Sequence, residues 1–417
     1  MNKIIFFSSG DSENASTWSN VPYCFSKCLE KRGIELIRIN TRPSKWITGF
    51  YDSIIRPTLN LITNNNTVYF GRTRIRHIIT EHLIKSVVKK HQDADFCVFI
   101  NCQFYNKFNS IPSLIFFDWS FEYEIRKRKN VEPNLFQKRN CNQEREAITH
   151  ADIVVSMFKV CAEEMNQMYP EANIQFLGGN VINDLSGLRL RETHPCPPLR
   201  GREDQTIEEQ DNLQISSSSK DIYVEDLLEK KAKSKKLLFI GRKTTYLEAA
   251  KKLIEAYKLL KREEDYKDLS LDIVGCAASD FDDLPEGVTC YGFLNKSDEN
   301  DRITYYELLL NAKILVNANP KWGAYSSTIE AMYFCTPVIV SPYKDFIEEF
   351  GDEINFGIYN KEFTKESLAS NIKTILNDRD YSRICMCSHE TVKDYTWDNY
   401  VDKLLLLMEN HKEKITK

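Results

Sequence analysis

The chain has 417 residues, 42% of them hydrophobic, and a formal net charge of -4 at pH 7. That length exceeds one ordinary hydrophobic core, so two domains are expected. A balance of 56 Lys+Arg against 60 Asp+Glu argues against a general nucleic-acid binder. The charge is uneven, however: residues 1–185 hold 23 Lys+Arg against 19 Asp+Glu, a net of +4, which leaves -8 for the rest. A mildly basic first half suits either a solvated surface or contact with an anionic one. No apolar run reaches the ~18–20 residues of a transmembrane helix. The opening Met1-Asn-Lys-Ile-Ile-Phe-Phe-Ser-Ser-Gly10 ends in a polar loop, which reads as a first buried strand rather than a signal peptide. The 12 cysteines fall in expected strands and helices without metal-site spacing, as reduced thiols of a cytoplasmic protein would.

Along the first half, short apolar runs alternate with helical periodicity. Strands are expected at 3–8, 34–39, 96–100, 114–117, 151–155 and 174–177. The stretch 20–32 reads as an amphipathic helix with Val21, Cys24, Phe25, Cys28 and Leu29 on one face. Residues 41–91 look helical and rich in Arg and Lys, and 157–168 is a further helix. Residues 186–235 lose this periodicity and carry Pro195-Cys-Pro-Pro198 and Ser216-Ser-Ser-Ser219, so a linker or mobile insertion is expected there. Alternation restarts with strands at 236–240, 269–274, 288–291, 314–317 and 337–340 and helices at 246–262, 303–311 and 327–334. The tail is helical, anchored by Trp397 and the apolar run 404–408. Strands separated by helices imply parallel sheets, hence α/β architecture in both halves. The expected domains are 1–185, 236–390 and a closing helix 391–417 that packs back on the first domain.

The second half holds the chemistry-bearing motifs. Phe239-Ile-Gly-Arg-Lys243 puts Gly241, Arg242 and Lys243 past a strand's carboxyl end, where two cations suit a diphosphate or simply a solvated turn. Gly275 ends another strand, where a glycine permits close approach of a ligand or makes a turn. Tyr291, Gly292 and Phe293 follow a short strand and suit either a base or core packing. The run from Asn319 to Pro342 is a strand, a small-residue loop and a helix opening on Ser326-Ser327-Thr328, an arrangement whose free N–H groups and dipole attract anions. Within it, Ser327-Thr-Ile-Glu330 fits a capping box, while a carboxylate can equally accept from a ribose diol.

Taken together, Gly241-Arg242, Gly275, Tyr291-Gly-Phe293, Trp322-Gly and Glu330-Ala-Met with Thr336-Pro-Val-Ile resemble the donor-binding domain of retaining GT-B glycosyltransferases, family 4 (glycosyl transferases group 1). In the first half, Thr17-Trp-Ser-Asn-Val-Pro22 and Arg145-Glu-Ala-Ile-Thr-His150 are similar to that family's first loop and last helix. The resemblance implies a GT-B fold, two Rossmann-like domains with parallel sheets facing across a cleft. It implies a donor of UDP- or GDP-sugar type, a saccharide or lipid-linked saccharide acceptor, retention of configuration and neither metal nor cofactor. Arg242 would contact the diphosphate with help from Lys243. Gly323, Ala324, Tyr325, Ser326 and Ser327 would surround the sugar and β-phosphate, Glu330 would bind the ribose, and Tyr291, Gly292 and Phe293 the base. Gly10 would face the phosphates, and Asp118 would lie in the cleft. The sequence departs from the family at Trp322, where a glutamate is usual, and at Thr244-Thr-Tyr-Leu247, where a lysine is usual. Rival expectations are an inactive GT-B relative that only binds nucleotide or a partner, and a GT-B sugar-nucleotide epimerase. The basic tracts Arg72-Thr-Arg-Ile-Arg76, Lys85 to Lys90 and Arg126-Lys-Arg-Lys129 read as solvated faces or as a peripheral membrane contact of a cytoplasmic protein.

Overall fold

Parallel strands are buried on both faces, so their sequences are near-continuous apolar runs, and two sets of such runs form two sheets. A computed structural model describes residues 1–63, 67–178, 181–182, 188–191, 220–319 and 325–416. The chain divides into two compact units, one of residues 1–181 with 396–417 and the other of residues 182–395.

The first unit holds β1 (Lys3–Ser8), β2 (Glu35–Asn40), β3 (Phe96–Ile100), β4 (Ser113–Phe117), β5 (Ile153–Ser156) and β6 (Ile174–Gln175). They form one parallel sheet in the order β2-β1-β3-β4-β5-β6. Every residue of β3 and β4 is buried. Its helices are α1 (Val21–Lys31), α2 (Lys45–Phe50), α3 (Arg56–Thr63), α4 (Arg74–Lys90), α5 (Phe121–Tyr123), α6 (Leu135–His150) and α7 (Lys159–Met168). The C-terminal helix Trp397–Thr416 belongs to this unit. Its Trp397 ring lies 5.9 Å from Phe25 and 6.1 Å from Phe116, and Arg32 binds Asp402 at 2.7 Å and Asp398 at 3.0 Å.

The second unit begins with β7 (Leu188–Arg191), which pairs in parallel with β8 (Lys220–Tyr223), followed by α8 (Val224–Lys233). The stretch expected as a linker therefore carries a small sheet and a helix at its two ends; residues 192–219, with the serine run, lie outside the described residues. Within α8, Lys231 is fully buried, and its Nζ donates to the carbonyls of Leu309 (2.5 Å) and Ala312 (2.9 Å) and to the Thr336 hydroxyl (2.5 Å). Burial pushes this amine down to about 7. Then come β9 (Lys236–Ile240), α9 (Lys243–Leu260), β10 (Ser270–Val274), β11 (Val288–Gly292), α10 (Glu299–Asn311), β12 (Ile314–Asn317), α11 (Ser326–Tyr333), β13 (Val338–Val340), α12 (Lys344–Phe350), β14 (Gly357–Tyr359), α13 (Lys365–Leu376) and α14 (Tyr381–Val392). The parallel sheet runs β11-β10-β9-β12-β13-β14. The described cysteines are free thiols, and all but Cys290 and Cys387 are buried.

Candidate functional site

In an open parallel sheet, ligands bind beyond the carboxyl ends of the strands where the chain reverses its direction of spread. In the second unit the chain runs outward from β9 to β10 and β11, then returns to place β12 on the other side of β9. The switch point thus lies between β9 and β12, and the residues that follow these two strands frame it. After β9 come Gly241, Arg242 and Lys243; after β12 comes the loop into α11.

Arg242 caps the N-terminus of α9 with an extended backbone, and its exposed guanidinium makes no hydrogen bond to the side chains of other described residues. Lys243 is placed differently. Its ammonium bonds the Asp280 carboxylate, which raises the lysine's pKa and lowers that of Asp280. Gly275 has φ +94, and a Cβ there would stand 2.3 Å from the Gly241 carbonyl oxygen. The glycine is needed because the β9 and β10 turns touch backbone to backbone. Gly241 is itself close-packed, since a Cβ would meet the Tyr246 side chain at 2.6 Å. Next to this turn, Gly292 (φ +65) accepts from the Gly275 N–H at 2.7 Å. Tyr291 donates to Asp272 at 3.3 Å, and burial pushes its phenol up to about 12, while Phe293 is exposed.

Glu330 departs from the capping-box reading. Helix α11 starts at Ser326, its N-cap residue is Tyr325, and no side chain caps it. Glu330 is therefore one turn inside, and only 1% exposed. Its two oxygens accept from Lys296 Nζ at 3.1 and 3.0 Å, and the Tyr305 hydroxyl donates to one of them. Lys296 also lies 3.9 Å from the centre of the Tyr305 ring. Burial, with Glu330 beside it, holds the Tyr305 phenol well above its ordinary range. Lys296 and Tyr305 carried no motif; they lie 34 and 25 residues before Glu330. Tyr325, expected around the donor sugar, turns its side chain into the core: the residue is 4% exposed and its ring sits 5.4 Å from Phe346 and 5.8 Å from Phe350. Ser326 and Ser327 stay half-buried at the start of α11. Trp322, Gly323 and Ala324 lie outside the described residues.

The first unit has its switch point between β1 and β3. A cavity of about 280 Å³ opens there, lined among others by Trp18, Arg72, Asn101, Asp118, Trp119 and Glu144. Asp118 follows β4, accepts from the Trp119 N–H at 2.8 Å, and is pushed up to about 6 by burial. Arg72 forms an ion pair with the buried Glu144 and covers the Phe121 ring at 4.0 Å. At the cavity's edge Trp18, Ser19 and Asn20 all have positive φ (39, 54 and 68), a strained run of non-glycine residues of the kind that gathers at functional sites. Gly10 (φ +131) is buried; it receives the Ser8 hydroxyl at 2.8 Å and has Thr17 against it, where a Cβ would meet Cγ2 at 2.7 Å. Among the described residues, no group of three His, Cys, Asp or Glu is placed to hold a metal ion.

Two six-stranded parallel sheets in series, each flanked by helices, define the GT-B fold. Residues 225–386 match the family model for glycosyl transferases group 1, which supports a glycosyltransferase. No curated protein matches the chain by sequence. Among solved structures it is similar to a glycosyltransferase from Rickettsia africae ESF-5, at 14% identity over 98% of both chains with a TM-score of 0.60. It is also similar to a protein described as a UDP-N-acetylglucosamine 2-epimerase from Listeria monocytogenes, at 14% identity over 99% of this chain and 97% of that one, TM-score 0.55. A third is Alr3699/HepE from Anabaena in complex with UDP and glucose, at 12% identity over 98% of this chain and all of the other, TM-score 0.52. At these identities the likeness establishes the fold.

Proposed function

We propose that this chain transfers a sugar from a nucleoside diphosphate sugar to a hydroxyl of a saccharide or lipid-linked saccharide, with retention of configuration. The observation that carries the reading is the second unit's switch point, where Arg242 and the N-terminus of α11 flank adjacent parallel strands within the segment matched to glycosyl transferases group 1. A permanent cation and a helix N-terminus suit a diphosphate, whose charge grows as the sugar departs. Arg242 holds that charge, and Ser326 and Ser327 supply backbone N–H groups. UDP is the first nucleotide to test, since the Anabaena relative was solved with it. Glu330 accepts from the ribose diol only if Lys296 gives way, so this role stands or falls with nucleotide affinity. Asp118 and the cavity beside it serve the acceptor, and the leaving phosphate takes the acceptor's proton.

The test is release of free nucleoside diphosphate from UDP- and GDP-sugars with and without saccharide acceptors. Release that depends on acceptor supports transfer. Arg242→Ala is expected to lower turnover by about 10²-fold or more. It should leave the melting temperature unchanged, because the side chain is exposed. Unaltered turnover would remove Arg242 from the mechanism. A second reading, nucleotide binding without transfer, draws on the Lys243–Asp280 pair and on Trp322 in the glutamate's place; binding of UDP with no release under any acceptor would favour it. Conversion of the donor sugar without acceptor would point to an epimerase.

A further inference from the structure

Surface helices normally turn their apolar stripe toward the core. Residues 45–63 do the opposite. Ser44 caps the start by accepting from the Ile47 N–H at 3.4 Å, and α2 passes through a wide turn, Tyr51–Ile55, into α3. None of these residues is buried. The side facing the protein is polar. The Tyr51 hydroxyl donates to the Val68 carbonyl at 3.3 Å, Asp52 accepts from the Phe70 N–H at 3.1 Å, and Asn60 accepts from the Thr67 N–H at 3.4 Å. The side facing out is apolar: Trp46, Leu61 and Ile62 are 89%, 85% and 78% exposed, and Phe50 and Ile54 are exposed with them. Helix α4 repeats the inversion over its first turns, where Arg76 and Thr80 point inward while Ile75, Ile78 and Ile79 are exposed. Exposed apolar residues gathered in one segment in this way mark a contact site.

The charges around it select the partner. From residue 42 to residue 90 every exposed charged side chain is cationic: Arg42, Lys45, Arg74, Lys85, Lys89 and Lys90. The acids of this stretch, Asp52 and Glu81, are half-buried and engaged, Asp52 by the Phe70 amide and Glu81 by Lys107. The basic tract of residues 126–129 is different, because Arg126 and Arg128 are paired with Glu122, Glu132 and Glu124. An outward apolar stripe with Trp at its start and only cations among the exposed charges of its own segment is the composition of a helix lying in a lipid headgroup layer. Among the described residues, no helix is long and apolar enough to cross a membrane, so this one would lie on the surface.

We propose that residues 45–63, with the exposed edge of α4, form an interfacial helix that docks the first unit on an anionic lipid bilayer. The proposal does not depend on sugar transfer. The test is co-sedimentation of the full chain with vesicles of phosphatidylcholine alone or with about a third phosphatidylglycerol, at low and high salt. Binding is expected to the anionic vesicles and to weaken with salt. Trp46→Ser/Phe50→Ser/Leu61→Ser should reduce the partition by about tenfold or more, and Arg42→Glu/Lys45→Glu/Arg74→Glu should reduce it and flatten its salt dependence. All six side chains are exposed, so both variants should keep the wild-type melting temperature; if the apolar triple misfolds, the charge triple decides. Wild-type binding by either variant would overturn the proposal. So would a dimer in light scattering that fails to bind vesicles and that the apolar triple returns to monomer, which would make a second copy of this chain the partner.

Discussion

Replacing Lys296 with methionine removes one partner of the Glu330 pair and leaves a carboxylate that is 1% exposed. Removing the cation from a buried ion pair costs about 3–5 kcal/mol, and here the Tyr305 hydroxyl still donates to Glu330. Lys296 is not fully buried, its side chain being 20% exposed, so water already screens part of the pair and the expected loss is about 2–3 kcal/mol. Methionine keeps the packing on Tyr305 and forfeits the cation over its ring, about 0.5–1 kcal/mol of that total. In a unit of this size the loss corresponds to a fall of about 5–10 °C in its melting transition. Glu330→Gln should cost less, because Tyr305 keeps an acceptor and Lys296 can turn to water. The double variant removes both charges of the pair, so it should lose about 2 kcal/mol less than the sum of the two singles. Thermal unfolding of the four proteins, with UDP affinity measured in parallel, completes the cycle. Additive losses would refute the pair as a stabilising unit. A Glu330→Gln variant that is less stable but binds UDP as wild type does would assign Glu330 to structure and not to the ribose.

Two further outcomes follow from groups described above. Asp118 is raised from 3.8 to about 6, so the folded chain holds its proton more tightly than the unfolded one. The stability this gives is present below pH 3.8 and is lost as pH rises through about 6; the shift corresponds to at most about 3 kcal/mol. Asp118→Asn should therefore raise the melting temperature relative to wild type at pH 8 and not at pH 4, and a pH-independent difference would contradict the burial argument. Gly275→Ala forces a Cβ to 2.3 Å from a backbone oxygen at φ +94, where no side chain can swing aside. It should cost about 3 kcal/mol or more, and unfolding of a variant as stable as wild type would show that the β9 and β10 turns can part.

Much of the fold was legible because strands buried on both faces are written as short apolar runs. The bounds of β1, β3, β9 and β12 coincide with the runs 3–8, 96–100, 236–240 and 314–317. The switch points follow from strand order, which local pattern does not contain. Of the two readings of Glu330, the capping box fails because the N-cap is Tyr325, two residues before the Ser327 that the box needs, and the actual partners of Glu330 come from a distant loop and helix. Gly275 was read as room for a ligand or as a turn, and the backbone of Gly241 packed against it accounts for the turn. Tyr325 stood beside the serines in sequence, but an aromatic cluster with Phe346 and Phe350 claims its ring. For residues 45–63, periodicity reveals a stripe without saying which side meets the protein; the polar partners Val68, Phe70 and Thr67 decide that.

Lys231 has a consequence for how the second unit can be divided. Its amine meets two carbonyls at the end of α10 and a hydroxyl beside β13, so α8 completes the unit from outside the sheet. A fragment cut at Lys236, where the sheet begins, would inherit those acceptors without their donor, together with an uncovered apolar face where Val224 and Leu227 pack. The seam between the modules lies upstream of α8, and a recombinant second module that keeps this helix should be soluble where the shorter one is not.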